Sequence, residues 1–433
     1  MNEVVIGIMA LAFLLGLFMT GIELSFAMAL LGFLGFSCVR SFESGLDLLA
    51  TDIFDIFASY GLTVVPLFLL MGQIAFNAGL ADRLYKSANR FVGHIPGGLA
   101  TATVAAATAF KAICGSSPAT AATFASIAVP EMDKFGYGRK LSTGIVASVG
   151  ALGALLPPSV VLIVFGVITE QSIGKLFLAA VIPGLIIAIF FVAVIIGWCR
   201  INPTIGPKGE KSTWPERFAS LPSLLSVVLI FLLTIGGLMK GFFTPTEAGS
   251  VGTFAVLLLC LAKKDIGLKG YVKSLREALR TGCMVLMLIA CSTIFAHFLT
   301  VTKIPMIAAD WVSSLPLNRY LILILIMVIY QIGGSFIEDF AFLLIATPIF
   351  YPAVLKLGFD PIWFGMIIAI NLMIGSVIPP MAICVFIVKN ITKEPLGVIY
   401  SGVYPFLASL VLAGALLFVF PQLATFLPNL LMR

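Results

Sequence analysis

Long apolar runs alternate with short polar connectors along the whole chain, and two of those runs break before they are long enough to cross a bilayer. A crossing takes about 20 apolar residues. The pattern predicts crossings over 4–20, 22–39, 60–79, 176–198, 222–240, 245–262, 281–300 and 400–426. An amphipathic connector occupies 80–94. The stretch 96–130 is interrupted at Gly115-Ser116-Ser117-Pro118. Pro118 lacks an N–H and pushes its predecessor out of helical angles, so the incoming helix is expected to stop near Cys114. A second helix then starts at Pro118 with Ser117 as its N-cap. Both pieces are partial spans, which predicts a re-entrant hairpin whose tip stops partway through the membrane. Broken backbone at that depth is tolerated only inside protein or against a water-filled cavity. A second hairpin is expected at 318–352. The crossings at 142–168 and 361–388 are broken by Pro157-Pro158 and Pro379-Pro380.

Composition agrees with this pattern: 60% of the 433 residues are hydrophobic, 11% are charged, and mean hydropathy is +1.13. These values describe an all-α polytopic membrane protein. The first apolar run lacks a basic leader and a small-residue exit, so it reads as a span and not a cleaved signal. Seven scattered cysteines and two histidines suggest no disulfide framework, metal cluster or catalytic triad, and no hydrolase or nucleotide-binding motif occurs. A net charge of +6 gives no support for nucleic-acid binding. Charge placement is more telling. If each hairpin returns to its own side, the segments 80–94, 131–141, 199–220, 263–280 and 389–398 share one face and carry 18 of the 26 Lys and Arg residues. The positive-inside rule makes that face cytoplasmic and sends both termini outside, together with an acidic loop holding Glu43, Asp47, Asp52 and Asp55.

Three matches recur at an offset of 222 residues. Gly153 to Pro158 aligns with Gly375 to Pro380, Lys134 and Gly136 with Lys356 and Gly358, and Pro130 with Pro352. Each half then holds five crossings and one hairpin. Because five is odd, the second copy is inserted upside down, the inverted-repeat plan of secondary transporters. The halves are 1–200, with scaffold helices over 1–60, and 221–433, joined by a cytoplasmic linker at 201–220.

The stretches GSSPATAATFASIAVPEMDKFGYGRKLSTG, GALGALLPPSVVLIVFG, SIGKLFLAAVIPG, FTPTEAGSVG, GSFIEDFAFLLIATPIFYP and FDPIWFGMIIAINLMIGSVIPP resemble, in order over about residues 60–390, the large membrane subunit of tripartite ATP-independent periplasmic (TRAP) transporters. The resemblance implies an elevator-type, sodium-driven importer of organic anions in the inner membrane. It also implies a small four-helix membrane subunit and a periplasmic binding protein as partners.

Sodium wants several hard oxygen ligands, which unwound backbone supplies, and half-helix C-termini favour a cation. The first cage is expected from Gly115, Ser116 and Ser117 against Gly153, Leu156 and Pro158. The second is expected from Gly334 against Gly375, Ile378 and Pro380, with Gly241 and Thr244 as further candidates. Taken one by one, these glycines and prolines also suit simple kinking and close helix packing. An anionic substrate needs helix N-termini, offered by Ser116, Ser117 and Pro118 at one tip and from Phe340 at the other. Ser159 and Asn371, beside the breaks, are further substrate candidates, and Asn371 either bridges to the hairpin or bonds within the bundle. Glu338 takes the place of an Asp that the family carries after its hairpin glycine and is a candidate for substrate hydroxyl contact or sodium coupling, while Asp339 is read as an N-cap at the same substrate-facing tip; both also suit dipole-favoured helix starts. Lys111 departs from the small residue usual in the family, and either pairs with an anionic head group such as a carboxylate or sulfonate, or snorkels to the cytoplasmic mouth or pairs with a neighbouring carboxylate. Glu23 and Glu247 read as interfacial caps, with a sodium-linked carboxylate as the alternative for each, and His297 reads as a satisfied interior histidine.

The leading expectation is a sodium-coupled elevator whose basic connectors 80–94 and 263–280 rest on anionic lipid. A related dimeric carrier that works alone is the alternative. A membrane enzyme fits less well, because the polar residues gather at hairpin tips.

Overall fold

A computed structural model describes residues 3–18, 22–336 and 339–432, and these are helical, with no strand among them. Two apolar helices, α1 (Glu3–Phe18) and α2 (Leu24–Val39), precede α3 (Phe42–Ala58). The segment expected as an acidic loop is therefore a helix. Ser41 caps it by accepting from the Ser44 N–H at 3.2 Å, and its carboxylates are spaced as an amphipathic helix spaces them. Next come α4 (Val64–Asn77), continuous with a 3₁₀ turn at Tyr60–Thr63, and the amphipathic α5 (Leu80–Val92). Arg83 of α5 pairs with Asp265, holding the connector against the α13–α14 turn described below.

The first hairpin consists of α6 (Gly98–Lys111) and α7 (Ser117–Lys134), which pack on one another across a non-helical tip. The small residues of GLATATVAAATAFK make α6 almost wholly buried, since side chains this small let neighbouring backbones approach. Pro130 sits inside α7, which runs one turn past the expected end. The broken crossing follows as α8 (Arg139–Ala151), a 3₁₀ turn at Leu152–Ala154, and α9 (Val160–Ile168); then comes the long α10 (Ile173–Ile201).

The second half opens with α11 (Trp214–Phe231), which passes through one π turn into α12 (Gly237–Met239), and α13 (Pro245–Ala262). The 34-residue α14 (Leu268–Val301) takes up most of the expected basic connector 263–280. Its charged positions are the exposed first turns of a helix, and only 263–267 form a loop. A short α15 (Ile304–Ser314), which hydropathy did not reveal, leads to the second hairpin, α16 (Arg319–Phe336) and α17 (Asp339–Lys356). The second broken crossing is α18 (Pro361–Gly375) and α19 (Ile383–Thr392), followed by α20 (Leu396–Val419) and α21 (Gln422–Leu431). Among the described residues seven helices are long and apolar enough to cross a membrane, α16 included.

Helix boundaries repeat the 222-residue spacing: Ser117–Lys134 against Asp339–Lys356, and the starts Arg139 against Pro361. Both Pro157–Pro158 and Pro379–Pro380 are cis. The packing is reciprocal as well. α19 packs on α7 and α9 on α17, while α20 packs on α8 and α10 on α18, so each half closes over the other's hairpin and broken helix. The helices α2, α3, α4, α13 and α14 form a separate group beside this assembly. Within it, Asp52 on α3, nearly buried, pairs with His297 on α14 at 2.8 Å. The His297 side chain is half exposed, so it is not the interior residue expected.

Candidate functional site

The first hairpin tip is set by its cap. Ser116, with extended backbone, accepts from the Ala119 N–H at 3.3 Å and is the N-cap; Ser117 is the first helical residue and Pro118 the second. The expected cap was one residue further on. The Ser116 carbonyl takes a hydroxyl hydrogen bond from Thr120 at 3.0 Å. Gly115 lies against the first break so closely that a Cβ there would overlap the Pro158 carbonyl oxygen. Only a residue without a side chain lets the two non-helical segments touch.

The second tip is tied differently. Met381 donates its N–H to the Ser335 carbonyl at 3.1 Å, and Cys384 donates to Ser376 O across the break at 3.1 Å. Gly334 is looser than Gly115, its nearest neighbour for a Cβ being Leu372 at 3.8 Å. Glu338 and the Asp339 side chain lie outside the described residues; α17 begins at Asp339.

Between the tips is a cavity of about 450 Å³. The first half contributes Gly115 to Pro118, Gly153, Ala154, Val160 and Val161, and the second Gly334, Phe340, Ala341, Gly375, Ser376, Met381 and Ile383. Its remaining wall comes from α2, α4 and α14, with Ser25, Leu69, Thr281 and Met284 among the residues there. Glu23, just ahead of α2, also lines it. Its side chain makes no cap hydrogen bond, so the interfacial cap expected of Glu23 is not formed. The N-terminal ends of α7 and α17 both reach this wall.

Of the residues singled out from sequence, Gly115, Ser116, Ser117, Pro118, Gly153, Gly334 and Gly375 therefore meet at one cavity. Others do not line it. Ser159 is fully buried; its hydroxyl donates to Ala154 O at 2.6 Å and accepts from Leu162 N at 3.4 Å, so it closes the break and caps α9. Asn371 donates to Met327 O at 2.8 Å, joining α18 to the second hairpin. Leu156 and Pro158 are buried behind the wall, Ile378 is half-buried, and Pro380 is exposed away from it. Gly241 and Thr244 are exposed. Thr244 forms a capping box with Glu247, accepting from Glu247 N at 3.3 Å while its own N–H donates to Glu247 Oε2 at 2.8 Å.

Lys111 neither lines the cavity nor snorkels. It is wholly buried at the end of α6, and its Nζ donates to the Ser116 carbonyl at 2.8 Å.

The family described as "Tripartite ATP-independent periplasmic transporter, DctM component" matches residues 7–423. The chain belongs to that family. It is a multi-pass permease component and not an enzyme. It is 37% identical over 382 residues to the C4-dicarboxylate TRAP transporter large permease protein DctM of Pseudomonas aeruginosa, covering 88% of this chain and 89% of that one. It is 32% identical to the isethionate TRAP transporter permease protein DctMQ of Oleidesulfovibrio alaskensis, over 84% of this chain and 57% of that longer one. In fold it is similar to the YdaH transporter of Alcanivorax borkumensis, with a TM-score of 0.63 at 13% identity, covering 88% and 89% of the two chains.

Proposed function

We propose that this chain is the membrane carrier of a sodium-coupled importer for a small organic anion, a carboxylate or sulfonate. In this reading a periplasmic binding protein delivers the substrate and a small four-helix membrane subunit stands beside the carrier. The observation that carries the reading is the shared cavity: two hairpin tips from halves spaced by 222 residues meet there, each presenting a helix N-terminus. Free N–H groups at those ends suit an anion, and the non-helical carbonyls behind them suit a cation, so the two are bound side by side. Gly115, Ser116, Ser117 and Gly153 form the first cation-facing group, and Gly334, Gly375 and Ser376 the second. Two of the relatives are named for acids of this class, a C4-dicarboxylate and isethionate, a sulfonate.

Coupling follows from the charges. A cation held among these oxygens raises the positive potential at its tip; where that cation is sodium, sodium and anion favour each other's binding, and the linkage is reciprocal. The two halves stand in opposite orientations, and the hairpins with their broken helices slide as one body against α2, α4, α13 and α14. The cytoplasmic face is the one rich in Lys and Arg, with both termini outside. The test is uptake of radiolabelled C4-dicarboxylate, isethionate and related acids into proteoliposomes containing this chain, its small subunit and the binding protein. Accumulation driven by an inward sodium gradient, and lost when choline replaces sodium, is the expected result. Uptake driven equally well without sodium would contradict the coupling.

A further inference from the structure

Four observations meet at Lys111. Its side chain is completely buried. Its Nζ donates to the Ser116 carbonyl at 2.8 Å, one of the oxygens of the first cage. A Cβ built on Gly153, across that cage, would overlap Nζ and lie 2.7 Å from Ser117 Oγ, so ammonium, hydroxyl and glycine crowd around one point. Lastly, no described carboxylate forms an ion pair with it.

A buried ammonium without a carboxylate is costly unless its surroundings already favour a cation. These do. Lys111 ends α6, so it stands at the negative end of that helix, and the non-helical carbonyl of Ser116 faces it. Gly153 leaves the space in which the ammonium sits. The lysine thus occupies the volume and the ligand environment of the first cation-facing group. Position 333, which stands 222 residues on, is glycine, so the second half has no such group.

We infer that the Lys111 ammonium is a tethered cation that replaces a transported sodium in the first cage. This rests on the sodium-coupled reading. Sodium binding is then confined to other oxygen groups, the second-half break first among them, and the chain carries one sodium fewer per substrate than a first cage open to the ion would allow. The positive potential behind α7 is permanent, while that behind α17 depends on bound sodium.

The test is direct binding of ²²Na⁺ to the purified full-length chain, in choline chloride, for wild type, Lys111→Ala, Lys111→Ser and Lys111→Arg. Melting temperature against NaCl is followed in parallel. The alanine and serine variants should each bind one more sodium per chain than wild type and gain a further sodium-dependent rise in Tm. Arginine should leave the wild-type count unchanged. Should the alanine variant fail to fold, the serine variant, which also offers a ligand oxygen, decides. Equal and non-zero counts in wild type, alanine and serine would overturn the tethered-cation inference and leave the sodium reading standing. No binding in any of them would overturn both.

Discussion

The two hairpin tips come from matching parts of the chain yet are supported in different ways. At the first, every residue from 151 to 160 is buried, Gly115 presses on the Pro158 carbonyl, and a lysine fills the space behind. At the second, Pro379, Pro380 and Met381 are exposed, and the tip is held to the break by the Ser335–Met381 backbone hydrogen bond. A common helical plan has been kept while packing and charge have diverged. On the proposed reading, one tip is preassembled around the Lys111 ammonium and the other is completed by bound ligands.

The largest expected effect that separates the tips is steric. Gly115→Ala forces backbone apart at the first tip. Overpacking of this kind costs about 1–3 kcal/mol, and uptake should fall at least tenfold. Gly334→Ala meets only ordinary contact and should shift stability by about 0.5 kcal/mol or less. Thermal unfolding and initial uptake rates of both variants check this, and equal damage at the two glycines would remove the asymmetry.

A middle-sized effect is expected at Gly153→Ala, which displaces a flexible ammonium and not backbone. Combining it with Lys111→Ala should recover part of the loss. A double-mutant cycle between groups in contact typically yields a coupling of about 0.5–3 kcal/mol, and a coupling near zero would separate the two residues.

The caps come next. Ser116→Ala and Ser159→Ala each remove an N-cap, and Ser159 also loses its bond to Ala154 O, so each should lose about 1 kcal/mol of stability as read from Tm. Ser117→Ala, which removes no cap, should lose less. The smallest effect belongs to Thr244→Ala. It weakens the capping box of α13 and should leave the sodium dependence of uptake unchanged, because Thr244 stands off the cavity.

Much of the architecture is legible in local sequence, because prolines, caps and apolar runs act over a few residues. The bounds of α13 coincide with the apolar crossing expected at 245–262, and the hairpin and break positions follow from Pro118, Pro158 and Pro380. What escaped depended on neighbours distant in sequence or on which face of a helix is covered. The carboxylates of α3 and the basic start of α14 look like loops by charge alone, yet both are helices with one polar face. The surroundings of Lys111 are set by Gly153, far along the chain, so exposure at the mouth and contact with substrate were equally open from sequence. Glu23 reaches the cavity from the scaffold side, a placement that no local pattern encodes.

The most direct measurement of the central claim uses single cysteines at Ser117 and Phe340, one at each tip, with the seven native cysteines replaced. They are labelled by a membrane-impermeant reagent from each side of oriented vesicles, with and without sodium and loaded binding protein. If the two tips wall one cavity that is exposed alternately, both positions should be reachable from either side, with the balance shifting when sodium or substrate is added. If each cysteine reacts from one fixed side under every condition, the alternating cavity is contradicted.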